Sequence, residues 1–170
     1  ILPADSRWCA SLRERAPGRV CTVGRSMQAD LRWELGESLP DGWAVRYVDR
    51  QLGWEARGRV PGLAPHVGEA AGMALALVGR WGYDPRAALD AIPSCRLPPM
   101  RMERREIAGV TWIDDSYNAN PVSMRAALDV LANRPCSGRR ILVVGDMLEL
   151  GAASDRYHRQ LGRWIRTRPF

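Results

Sequence analysis

The stretch Val110-Thr111-Trp112-Ile113-Asp114-Asp115-Ser116-Tyr117-Asn118-Ala119-Asn120-Pro121 runs from an apolar strand, through a polar loop, into a helix. Residues 110–113 are β-branched or aromatic, the composition of a strand. Asn120 is a capping residue and Pro121 suits a first helical position, so a helix starts there and runs to Asn133. In open α/β sheets ligands gather at the carboxyl ends of strands. Free amides at a helix start favour anions, and a carboxylate in the loop can accept from sugar hydroxyls or hold a cation. The same residues also suit a plain cap and turn, with Asp114 and Asn120 serving the loop alone. Local chemistry leaves both readings open.

Downstream, Ile141-Leu142-Val143-Val144 is a fully apolar run, expected to be a strand of a parallel sheet covered on both faces. Residues 153–166 follow as a helix. Strand, helix, strand, helix at this spacing predicts an α/β, Rossmann-like unit. Upstream, residues 93–105 hold Pro98-Pro99 and five Arg or Glu residues, a candidate domain linker.

Before it, Asp84-Pro85 opens a short helix to about Ile92. Residues 67–80 are Ala-rich and apolar nearly all round, which predicts a buried helix. Gly68 and Gly72 weaken it by ~1 kcal/mol each relative to Ala, but permit close packing. Strands are expected at 20–23, at 44–48 and within 54–60. Residues 5–15 read as a helix capped by Asp5 or Ser6, and residues 25–42 show no clear period.

The chain has 170 residues, 46% of them apolar, enough for one sizeable domain or parts of two. No apolar run approaches the ~20 residues that span a bilayer, and no signal peptide opens the chain. The start lacks Met and the end stops within a helix, so both read as cuts from a longer protein. Cys9, Cys21, Cys95 and Cys136 form no Cys-x-x-Cys motif, and reduced thiols are expected. Net charge is +6, and all 25 basic residues are Arg. Arg suits phosphate and guanine, but here it is scattered among acids without interleaved aromatics. That pattern fits a coding bias better than a nucleic-acid footprint. Without lysine the chain has no phosphate-loop lysine and no Schiff-base chemistry.

Asp114-Asp115-Ser116-Tyr117-Asn118-Ala119-Asn120-Pro121, with Ser123-Met124 and Ala126-Ala127-Leu128 after it, resembles the opening of the C-terminal domain of Mur ligases. The nearest likeness is to the family branch that adds D-Ala-D-Ala to UDP-MurNAc-tripeptide. A second run, Val143-Val144-Gly145-Asp146-Met147-Leu148-Glu149-Leu150-Gly151, with His158 beyond it, resembles the next strand and loop of the same branch. Folylpolyglutamate synthases and cyanophycin synthetases share the architecture but not this pair of runs. Leu97-Pro98-Pro99-Met100-Arg101-Met102-Glu103 resembles the family's domain-linking Pro-Gly-Arg-Met-Glu segment, with Met100 in place of Gly. The Asp5 region, residues 20–24, Ala29-Asp30 and His66 resemble the later half of the central domain.

The resemblance implies three segments: 1–98 as the later part of the central, ATP-binding domain, 99–106 as linker, and 107–170 as the start of a Rossmann-like C-terminal domain. It implies an ATP-dependent ligase, cytoplasmic and monomeric, with no nucleic acid or membrane as partner. Arg101, Asp115 and His66 would contact the nucleotide. Ser116, Tyr117, Asn118, Asn120 and Asp146 would line the closing loop or its surroundings. No catalytic nucleophile and no metal ligand is expected here. The Gly-Lys-Thr loop and the magnesium ligands would precede Ile1. One departure counts against this: Val67 and Ala70 stand where the family carries two adenine-holding Asn. A catalytically dead remnant is therefore an alternative, and an Arg-rich nucleic-acid binder a lesser one.

Overall fold

The computed structural model describes all 170 residues, which divide into two compact units, Ile1–Arg96 and Leu97–Phe170. The mixed α/β class expected from the sequence holds in both.

In the first unit five strands form one sheet in chain order: β1 (Leu2–Pro3), β2 (Thr22–Gly24), β3 (Leu31–Leu39), β4 (Gly42–Asp49) and β5 (Trp54–Pro61). The first two pairings are parallel and the last two antiparallel. β3 falls in the stretch that lacked a readable period. Leu31 and Trp33 point into the core, but the register shifts between Leu35 and Ser38, so the alternation stops midway.

Three helices join this sheet: α1 (Cys9–Arg15), α2 (Val67–Arg80) and α3 (Pro85–Ala91). α1 starts later than expected, and its N-cap, Trp8, makes no side-chain cap bond. Asp5 is engaged elsewhere, accepting from the Arg25 and Ser26 amides at 2.6 and 3.0 Å, while the Ser6 hydroxyl accepts from the Trp8 amide. α3 opens as read, with Asp84 accepting from the Arg86 amide at 2.9 Å.

α2 lies against the sheet at Gly68 and Gly72. A methyl at Gly68 would sit 2.6 Å from the Trp33 ring, and one at Gly72 would meet Val23 at 3.0 Å. The two glycines therefore offset their helix cost by letting α2 approach the sheet. The Tyr47 hydroxyl donates to the Gly68 carbonyl at 2.7 Å, and burial pushes its pKa up. The helix is not buried all round as expected: Ala70, Ala74 and Leu77 face outward. An Ala-rich surface carries too little polarity to mark its solvent side.

The second unit opens with a hairpin of β6 (Glu103–Ile107) and β7 (Val110–Asp114) around Ala108 and Gly109, both at positive φ. Residues 103–106, read as linker, thus lie in a strand. Helices α4 (Pro121–Asn133) and α5 (Ser154–Arg166) pack together through Leu128, Leu161 and the intervening Met147. The Ile141-Leu142-Val143-Val144 run is not a strand. β6 and β7 pair only with each other, so no neighbouring strand completes a ladder for it. Leu142 packs against the helix pair, and Val143 is 88% exposed.

Candidate functional site

The loop between β7 and α4 is built from short-range bonds. Asn120 accepts from the Val122 and Ser123 amides at 3.0 and 2.9 Å, and the Ser123 hydroxyl in turn accepts from the Asn120 amide at 3.1 Å, closing a capping box. Asn118 accepts from the Ala119 amide at 2.8 Å. Asp114 accepts from both the amide and the hydroxyl of Ser116, at 3.1 and 2.7 Å. The Ser116 hydroxyl bond, followed by its amide, holds the Asp114 carboxyl below its usual range.

Asp115 turns the other way and accepts from the Met102 amide at 3.0 Å. The neighbouring carboxylates therefore do different work: Asp114 closes its own turn, and Asp115 ties the loop to the segment before β6. The Met100 carbonyl accepts from the Tyr117 amide at 3.2 Å, and the Met100 amide donates to Glu103 at 3.2 Å. Between these anchors the Arg101 guanidinium lies over the Tyr117 ring, 4.1 Å from its centroid. The structure thus brings Arg101, Asp115, Ser116 and Tyr117 into one cluster, with Asn118 and Asn120 on its helix side.

Met100 and Met102 both adopt left-handed backbone, φ 57° and 54°. Sequence reading missed this conformation, although Met100 at the resembled family's glycine position was its signal. The cluster offers one cation, Arg101, and one carboxylate, Asp115, beside the end of β7.

Asp146 belongs to a separate arrangement. His158 Nε2 accepts from the Met147 amide at 3.1 Å and lies 3.7 Å from Asp146. Its Nδ1 faces the Ser154 carbonyl at 2.9 Å, which assigns the ring proton to Nδ1. His158 therefore fastens the loop after residue 144 onto α5. His66 lies in the other unit, exposed at the start of α2, and makes no side-chain cap bond. Val67 packs against the core and Ala70 is exposed. No three His, Cys, Asp or Glu side chains converge to hold a metal ion.

Residues 100–168 match the model of the family described as Mur ligase, glutamate ligase domain. The UDP-N-acetylmuramoyl-tripeptide–D-alanyl-D-alanine ligase of Escherichia coli is 50% identical over 76 residues, 45% of this chain and 15% of that one. Its counterpart in Mycobacterium bovis is 32% identical over 171 residues, 96% of this chain and 33% of that one. A crystal structure of MurF from Acinetobacter baumannii superposes with a TM-score of 0.88 at 28% identity, covering 99% of this chain and 36% of that one. MurF from Thermotoga maritima, solved in complex with ADP, shares the fold with a TM-score of 0.77 at 21% identity, over 94% of this chain and 36% of that one. The chain spans a third or less of the length of these curated relatives. Residues 100–168 thus carry a Mur ligase glutamate ligase domain, and the chain is similar to MurF ligases along nearly its whole length.

Proposed function

We propose that the protein carrying this chain is an ATP-dependent carbon–nitrogen ligase that joins D-alanyl-D-alanine to UDP-N-acetylmuramoyl-tripeptide in cytoplasmic peptidoglycan precursor synthesis. In this reading the first unit is the later part of a central nucleotide-binding domain, and the second is the start of the C-terminal domain. The observation that carries it is the cluster of Arg101, Asp115 and Tyr117 at the end of β7, within the segment that matches the family.

The substrate carboxylate attacks the γ-phosphate of ATP, forming an acyl phosphate and releasing ADP. The dipeptide amine then attacks the acyl carbon, loses a proton and expels phosphate. Such chemistry rests on positioning and charge neutralisation more than on a protein nucleophile. Arg101 meets the phosphates, and Asp115 accepts from the ribose hydroxyls. Ser116, Tyr117, Asn118 and Asn120 shape the loop that closes over the nucleotide, and Asp146, 3.7 Å from His158, supports that closure from a separate loop. His66 contributes from the central domain. Magnesium would be held by residues outside this chain.

The test uses the full-length protein and follows inorganic phosphate. Release should require ATP, the tripeptide nucleotide and D-Ala-D-Ala together. Asp115→Asn keeps an acceptor for the Met102 amide but loses the charge, so the KM for ATP should rise about fivefold. An unchanged KM refutes the role of Asp115, and release without the dipeptide refutes the ligase. A folded protein that neither binds ATP nor releases phosphate supports the remnant reading, which Val67 and Ala70 favour.

A further inference from the structure

We infer that Tyr117 is a positioning residue for Arg101, presenting its guanidinium edge-out to the nucleotide's phosphates; this rests on reading Arg101 as the phosphate contact. Three observations carry it. First, the guanidinium carbon of Arg101 lies over the Tyr117 ring, 4.1 Å from the centroid. Stacking occupies the face of the guanidinium and leaves its in-plane N–H donors available to an anion.

Second, Arg101 takes part in no ion pair, whereas Arg104 and Arg105 next to it are bound to Glu106 and Glu103. Strand β6 thus neutralises its own two arginines, while Arg101 before it is left for another partner. Third, the backbone is clamped on both sides of Arg101. Met100 and Met102 are both left-handed, and each is bonded to the Tyr117 loop, through the Tyr117 amide and the Asp115 carboxylate. A long, exposed Arg side chain ordinarily loses much rotamer freedom when it binds, and the ring removes part of that freedom beforehand.

The experiment measures ATP affinity and KM for the full-length protein and five variants. Tyr117→Leu should weaken ATP use about two- to fivefold, the worth of an exposed cation–π contact. Tyr117→Phe should stay near wild type, because the ring face does the work, and Tyr117→Trp should match or exceed it. Arg101→Ala should weaken ATP use on its own, and adding Tyr117→Leu to it should change nothing further.

The inference is overturned if Tyr117→Leu keeps its full effect without Arg101, or if Tyr117→Phe is as harmful as Tyr117→Leu. Should Tyr117→Leu misfold, the Phe and Trp variants decide alone, and a several-fold loss in both refutes the ring's role. A wild-type Arg101→Ala variant, or a wild-type protein without ATP affinity, sinks this inference together with the phosphate reading. An Arg101 effect with no coupling to Tyr117 sinks the inference only.

Discussion

Asp49 offers a sharp test of what holds the first unit together. It closes β4 and is 1% exposed, a charge removed from water. One carboxylate oxygen accepts from the Gln51 and Leu52 amides, both at 2.9 Å, and the other accepts from Arg80 of α2 at 2.8 Å. Arg80 also donates to the Ala76 carbonyl and the Gln51 side chain, each at 3.0 Å, and keeps 21% of its side chain exposed. Asp49→Ala strands two backbone donors and one guanidinium. Breaking a buried pair costs about 3–5 kcal/mol. Because Arg80 retains two partners and some solvent, the expected loss is about 2–4 kcal/mol. Asp49→Asn keeps the acceptor for both amides but turns an NH2 toward Arg80, so it should cost about 1–3 kcal/mol. Most of that should return when Arg80→Met is added, because the facing donor is gone. Urea unfolding of the wild type, the three single variants and the Asp49→Asn, Arg80→Met double variant, followed by tryptophan fluorescence, measures the cycle. Losses below about 0.5 kcal/mol in both single Asp49 variants, or strict additivity with Arg80→Met, would refute this account.

Two further outcomes follow from the same structure. Burial pushes the Cys21 thiol from 9.0 to about 11; the unfolded chain ionises first, so the stability of the neutral thiol is present below 9 and lost as pH rises toward 11. Urea midpoints across that window should fall more steeply for the wild type than for Cys21→Ala, and parallel curves would contradict it. At the β6–β7 turn Ala108 is exposed with φ 51° and precedes Gly109 at φ 76°. Ala108→Asn gives the turn its preferred Asn-Gly pair and should stabilise the second unit by about 0.5–1 kcal/mol in a thermal melt.

Features fixed by neighbours in sequence were legible. Asn120-Pro121 and Asp84-Pro85 start helices because cap and ring act within three residues, and both caps bond as their chemistry requires. The 67–80 helix was readable to its ends from the extent of its Ala-rich run. What depended on distant partners was not. An apolar run such as Ile141-Leu142-Val143-Val144 states a preference for burial without naming a strand to pair with. The Asp49–Arg80 pair spans 31 positions, and no local pattern announces it. In the candidate site the loop residues were visible as a motif, but the stacking of Arg101 on Tyr117 and the left-handed Met100 and Met102 arise only when the hairpin folds.

The two units bear unequally on the nucleotide reading. In the second, the bonds of Asp115, Tyr117 and Met102 assemble a cation, a carboxylate and an aromatic ring around one short loop. None of these bonds is needed for the helix cap, which Asn120 and Ser123 complete by themselves. Left-handed backbone at two methionines costs about 1–2 kcal/mol each, and it brings no core burial at Met100, which is 38% exposed. Strain kept at an exposed residue beside an unpaired arginine is the pattern of a binding site more than of a packing solution. In the first unit the side chains at 67 and 70 are a core-facing valine and an exposed alanine, and neither can bond a purine edge. An adenine bound there would rely on backbone groups or on segments beyond this chain.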